Sequence, residues 1–145
     1  MKEVSAQEAY QLIESDPEYT YLDVRSVQEY EAGHPEKSIN IPIMHFAPGV
    51  GMTPNEEFPA VVEANLPKDA KLVIGCKTGM RSARACEVLS QMGYTNVANV
   101  RGGFVGMSDN FGRVIEPGWS MLNLPTSTES RDEARYETLA AKAKK

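Results

Sequence analysis

Ile74-Gly75-Cys76-Lys77-Thr78-Gly79-Met80-Arg81-Ser82-Ala83-Arg84-Ala85 is the stretch whose reading decides this chain. The apolar run Leu72 to Ile74 enters it as a strand, Gly79 marks a short loop, and Arg81 to Gly93 reads as a helix. Cys76 therefore falls between a strand end and a helix start. Backbone N–H groups point outward unpaired there and the helix dipole is positive, so an anion is stabilised and a thiol loses its proton more easily.

Working outward, Lys71 to Gly75 is the most apolar strand and suits the centre of a parallel sheet. Downstream, Ala85, Val88, Leu89 and Met92 share one helical face and Gly93 supplies the stop. Asn96 to Val100 is the next strand, and Gly102-Gly103 opens a further turn or helix. Upstream, Ser5-Ala6-Gln7-Glu8 and Ser26-Val27-Gln28-Glu29 are capping boxes; they start helices ending near Ser15 and Ala32, the second closed by Gly33. Tyr19 to Val24 between them reads as a strand with Asp23 and Arg25 at its carboxyl end, and Ser38 to Ile41 as a brief strand bounded by Pro42. Met44 to Thr53 shows little periodicity and is expected as a loop bordering a pocket. Thr53-Pro54-Asn55-Glu56 predicts a helix start running to Asn65, with Pro59 awkward inside it.

Met107 to Gly118 is irregular, and Trp119 to Pro125 looks like a returning segment that docks one large aromatic. Ser130-Arg131-Asp132-Glu133 is expected to cap a last helix, with Tyr136, Leu139, Ala140 and Ala143 as a thin apolar stripe that docks weakly or frays. Strands alternating with helices predict an α/β domain over residues 1–125: a central, mostly parallel sheet with helices on both faces, followed by a helical or flexible tail over 126–145. In such sheets the working site lies beyond the carboxyl ends of the strands, the end to which Asp23, Arg25 and Cys76 are all assigned.

The totals narrow the chemistry. At 145 residues the chain fits one domain, and 41% hydrophobic with 24% charged residues is an ordinary globular balance. A net charge of -5 argues against a nucleic-acid partner, so any positive site must be local. No apolar run approaches the roughly 18 residues of a membrane helix, and Met1-Lys2-Glu3-Val4 leads into no signal core. No membrane partner and a cytoplasmic location are the default expectations. Cys76 and Cys86 with His34 and His45 are too few for a disulfide framework or a zinc site, so neither metal nor cofactor is expected.

These residues resemble the single-domain rhodaneses, the sulfurtransferases, over about Val4 to Pro125. Leu22-Asp23-Val24-Arg25 with Glu29-Tyr30, Gly33-His34 and Ile39-Asn40-Ile41-Pro42 is similar to the family's amino-terminal signature. Cys76-Lys77-Thr78-Gly79-Met80-Arg81-Ser82 is similar to its active-site loop, and Arg101-Gly102-Gly103-Phe104 to its late glycine motif. The chain departs from the pattern at Pro35 and Lys37-Ser38, in an apparent insertion over Met107 to Gly118 before Trp119, and at Asn123, where the family has a glycine. Asn tolerates the left-handed region that a glycine there would occupy.

The resemblance implies a persulfide on Cys76 and movement of sulfane sulfur from a small anionic donor such as thiosulfate to a thiol or cyanide acceptor. A sulfur-relay protein partner is a further expectation. The loop residues Lys77, Thr78, Gly79, Met80 and Arg81 are expected to bind the donor, with Lys77 and Arg81 adding charge and the N–H groups cradling the sulfur. Asp23 and Arg25 are expected as a supporting ion pair. Cys86 reads as a packed helix residue with a resolving thiol as its alternative, and His34 as a local hydrogen bond in a turn. Arg84 reads as a surface charge and Trp119 as core; Met44, Phe46, Met52 and Met107 are candidates for an apolar entrance. The rival functions are a non-catalytic rhodanese-like binding or carrier module and a Cys-dependent phosphatase or arsenate reductase. The latter would resemble Cys-x5-Arg; here Cys76 to Arg81 is Cys-x4-Arg, a tighter ring of N–H groups.

Overall fold

The apolar run before Cys76 becomes a buried strand. In the computed structural model, which describes residues 2–144, the chain opens with β1 (Lys2–Ser5), α1 (Ala6–Ser15), β2 (Tyr19–Asp23) and α2 (Val27–Ala32). The short strands β3 (His34–Pro35) and β4 (Ile39–Asn40) follow, then β5 (Met44–Ala47), β6 (Gly51–Pro54) and α3 (Phe58–Asn65). The second half runs β7 (Lys71–Gly75), α4 (Met80–Gln91), β8 (Val97–Arg101), β9 (Met107–Ser108), β10 (Val114–Glu116), β11 (Thr126–Ser127) and α5 (Tyr136–Lys142).

Five strands build the central sheet in the order β1-β8-β7-β2-β4, every pairing parallel. β7 lies in the middle, as its composition requires: Leu72, Val73 and Ile74 are all fully buried, because helices cover both faces. The faces alternate residue by residue. Leu22, Leu72 and Ile74 pack with Phe58, Val61 and Val62 of α3, Leu89 of α4 and Leu139 of α5, whereas Tyr21, Val73 and Ala98 pack with Ala6 and Ala9 of α1 and with Trp119. Trp119 is 1% exposed, meets Tyr10 and Tyr21 edge-on at 5.8 and 5.4 Å, and donates Nε1–H to the Pro125 carbonyl at 2.8 Å.

Both capping boxes form. Ser5 and Ser26 accept from the N–H groups of Glu8 and Glu29, whose carboxylates reach back to the cap N–H groups. The strand β1 was not legible: Lys2 and Glu3 are polar and exposed, as an edge strand allows, and only Val4 is buried.

Three segments depart from the sequence reading. Met44 to Thr53 is not a loop but an antiparallel hairpin, Met44 opposite Pro54 and Ala47 opposite Gly51. A hairpin with no fully buried face carries no hydrophobic alternation, and Phe46, Val50 and Met52 are exposed on it. The helix expected from Thr53 starts instead at Phe58. Asn55 takes the turn, its Nδ2 donating to the Pro42 carbonyl and its Oδ1 accepting from Glu57 N–H, so Pro59 falls in the first turn, where a missing N–H costs nothing. Likewise Ser130 to Glu133 does not cap the last helix. α5 begins at Tyr136, with Arg135 at its N-cap and no side-chain cap.

That tail is built into the domain. Leu139 is 3% exposed, Asn65 Nδ2 donates to its carbonyl at 2.9 Å, and Asn40 N–H donates to Ala134 O at 2.9 Å. β9 and β10 pair within the irregular Met107 to Gly118 stretch, and β11 pairs with β3.

Candidate active site

Cys76 follows the last residue of β7 directly, so the middle strand of the sheet delivers its thiol to the carboxyl edge. The residue is 1% exposed. Its loop is pinned from outside: Phe104 N–H donates to Cys76 O at 2.8 Å and Val105 N–H to Lys77 O at 3.0 Å. With those carbonyls turned toward 103–105, the opposite side of the loop faces the sulfur. Gly79 N–H donates to Sγ at 3.1 Å, and Ser82 Oγ lies 3.4 Å from it. The N–H groups in the first turn of α4, which starts at Met80, have no intrahelical acceptors and add the positive end of that helix.

Gly103 is what permits the pinning. Its φ is +55°, and an added Cβ would stand 2.3 Å from Cys76 O. The double glycine is thus a backbone contact to the cysteine loop.

The nearby charges are mostly paired. Arg25 Nε and Nη2 donate to Asp23, Nη2 at 2.7 Å, and Nη2 also donates to Gly33 O, while the guanidinium lies 4.4 Å from the Phe104 ring centre. Burial opposes charge on Arg25, but Asp23 overcomes it and holds the guanidinium protonated. Arg81 donates Nη1–H to Glu29 Oε1 at 2.7 Å and Nη2–H to Oε2 at 3.0 Å. Burial alone would raise the Glu29 pKa; Arg81 and the Ser26 cap outweigh it and hold the carboxyl down at about 2. Lys77 is exposed and, among the described residues, in no ion pair. It lines a cleft of about 270 Å³ with Arg25, Glu29, Gly33, Phe104 and Val105. A second cleft of about 340 Å³ touches Thr78, Gly79 and Met80 of the loop, with Met107 and Ile115 on its wall beside the charged Glu3, Arg101 and Glu116.

The expected site residues thus gather at one edge of the sheet with different standings. Gly79 touches the sulfur, Thr78 is half-buried, and Met80 is 74% exposed. Arg81 has both arms on Glu29 rather than free over the loop. Asp23 and Arg25 form the ion pair expected of them. Cys86 lies wholly buried in the core, its thiol pushed up to about 12, first by that burial and then by Glu3 and Cys76. His34 stacks on Tyr30 at 3.8 Å, with Nδ1 2.6 Å from the Tyr30 carbonyl. Arg84 faces solvent beside Glu87. Met107 borders the second cleft, but Met44, Phe46 and Met52 line neither cleft.

Ser82 and Glu29 stand within the family motifs, but from sequence Ser82 is assigned no contact and Glu29 no role beyond its cap, and Asn99 is missed altogether. Ser82 stands one residue past Arg81, and that spacing brings a helix N-terminal hydroxyl back toward the loop; Asn99 carries no local signal because it arrives from another strand.

Fold and site together define a parallel α/β domain that carries a cysteine in a backbone-pinned loop at the carboxyl edge of its sheet. Residues 5–110 match the model of the rhodanese-like domain, and the chain belongs to that family. Thiosulfate sulfurtransferase 18 of Arabidopsis thaliana is 37% identical over 109 residues, 74% of this chain and 78% of that protein. Senescence-associated protein DIN1 of Raphanus sativus is 38% identical over 92 residues, 63% of this chain; the match spans about half the length of that relative, 50%. Among solved structures, Rv0390 from M. tuberculosis superposes with a TM-score of 0.75 at 25% identity, covering 89% of this chain and 98% of that one.

Proposed function

We propose that this protein is a sulfurtransferase that carries sulfane sulfur as a persulfide on Cys76. The observation that carries the reading is the cradle at Cys76 Sγ: one backbone N–H at 3.1 Å, a serine oxygen at 3.4 Å and the start of α4, on a loop held by Gly103. The Cys76 thiolate attacks the outer sulfur of thiosulfate, the sulfur–sulfur bond of the donor breaks, and sulfite leaves with the bonding pair. Cyanide or a thiolate then attacks the outer sulfur of the persulfide, and Cys76 is released as thiolate. Atoms and electrons balance without a metal or a redox cofactor.

The charges fit a small anion as donor. Lys77 supplies the unpaired cation at the mouth, and Arg81 serves through Glu29, fixing α2 against the start of α4. That pairing also weighs against a phosphatase, which needs its arginine free to grip the oxyanion with both arms. The chain has the cysteine that a purely binding module would not need.

Intact mass spectrometry tests the reading. After thiosulfate treatment the protein gains the mass of one sulfur atom, cyanide removes it with release of thiocyanate, and Cys76→Ser gains nothing. Absence of any adduct with thiosulfate, a persulfide donor or 3-mercaptopyruvate would turn the assignment to a binding module. Efficient aryl phosphate hydrolysis in its place would turn it to the phosphatase.

A further inference from the structure

One side chain from β8 reaches both groups that touch the sulfur. Asn99, 3% exposed, has Nδ2 3.1 Å from Glu3 Oε2 and 3.3 Å from Gly79 O, and Oδ1 2.5 Å from Ser82 Oγ. The first two neighbours are a carboxylate and a carbonyl, both acceptors only. The amide end facing them is therefore the NH2, and the end facing Ser82 is the carbonyl. A hydroxyl carries a single hydrogen, and two oxygens 2.5 Å apart need one between them, so that hydrogen lies on the line to Asn99. The longer approaches of Ser82 Oγ, to Gly79 O at 3.2 Å and to Cys76 Sγ at 3.4 Å, are left without it.

We infer that Asn99 is the positioning residue of this site: it holds the only hydrogen of Ser82 away from Cys76, so that Ser82 presents a lone pair to the sulfur and accepts from the S–H of the resting thiol. Glu3, on the edge strand β1, is the lock that fixes the orientation of the amide. Gly79 N–H is then left as the donor to the sulfur once its proton has gone. The hydroxyl thus meets the sulfur as an acceptor, and Asn99 decides which way it faces. Arg81, Tyr21 and Cys86 also act electrostatically on the sulfur, and none of them is changed below. The inference takes from the sulfurtransferase reading only that Cys76 is the working group.

Alkylation of Cys76 by iodoacetamide, read by peptide mass spectrometry between pH 6 and pH 10, tests this without any sulfur donor. Asn99→Val suits a strand and removes the acceptor, which frees the Ser82 hydrogen for the sulfur. The rate at pH 7 relative to that at pH 10 then rises by about threefold or more, the scale of one ordinary hydrogen bond. In the Ser82→Ala background the same substitution changes nothing, because the hydroxyl it acts through is gone. A fall or no change in Asn99→Val, or a rise that survives in the double variant, overturns the inference.

Glu3→Leu against Glu3→Gln supplies a readout at an exposed position, should Asn99→Val not fold. Both remove the charge and only leucine removes the acceptor, so a rise with leucine beyond that with glutamine supports the lock and equal effects overturn it. Unaltered protein that alkylates as described but never forms a persulfide would sink the sulfurtransferase reading and leave this one standing.

Discussion

Arg81 grips Glu29 with both guanidinium arms, at 2.7 and 3.0 Å, and so ties the first turn of the helix behind the cysteine to the helix after β2. The consequence for stability has a definite sign. The Glu29 carboxyl is held at about 2 against an ordinary 4.5, so its contribution is complete above 4.5 and is lost as pH falls through that window toward 2. Thermal melts of the unaltered protein therefore decline between about pH 4.5 and pH 2, and Glu29→Gln declines less over the same range. Equal slopes would show that the pair carries no linkage. Both side chains keep some contact with solvent, 18% for Arg81 and 25% for Glu29, so salt weakens the difference.

Gly103→Ala tests the pinning of the loop. The φ of +55° costs an alanine about 1 kcal/mol, and its Cβ would stand 2.3 Å from Cys76 O, a backbone atom that cannot step aside alone. We expect a loss of about 2 kcal/mol or more in denaturant titration, and persulfide formation slowed by at least about tenfold as the cradle shifts. Normal stability with normal loading would mean that the double glycine is not what holds the loop.

How much of this was legible varies with the range of the forces. Capping boxes act over four residues, so Ser5–Glu8 and Ser26–Glu29 were read correctly, and the apolar run before Cys76 announced the middle strand. Asn123 was expected to stand in for glycine, and its φ is +53°. What failed depended on partners far away in the chain. Pro54 belongs to a hairpin rather than a helix start, β1 exists because β8 is there to pair with it, and Arg81 looked free because Glu29 is 52 positions upstream. Charge near the loop was visible; its neutralisation was not.

Asn123 offers a small, clean measurement. At φ +53° a glycine is free of strain and a β-branched residue is not, so Asn123→Gly stays within about 0.5 kcal/mol of the unaltered protein while Asn123→Val loses about 1–2 kcal/mol. Chemical denaturation distinguishes them. Equal losses for both would place the role of Asn123 in its side chain rather than its backbone.

Lys77 is the remaining test of the donor's charge. As the exposed, unpaired cation on the cleft beside Cys76, it attracts an anionic donor during binding more than it stabilises the sulfur. Lys77→Ala is expected to raise the KM for thiosulfate by about threefold to tenfold with kcat little changed, and to flatten the dependence of kcat/KM on ionic strength. Transfer from an uncharged donor would be unaffected by the same substitution. A drop in kcat alone would instead place the ammonium on the leaving sulfite, which gains negative charge as it takes the bonding pair of the sulfur–sulfur bond, and would move Lys77 from donor capture to the chemical step itself.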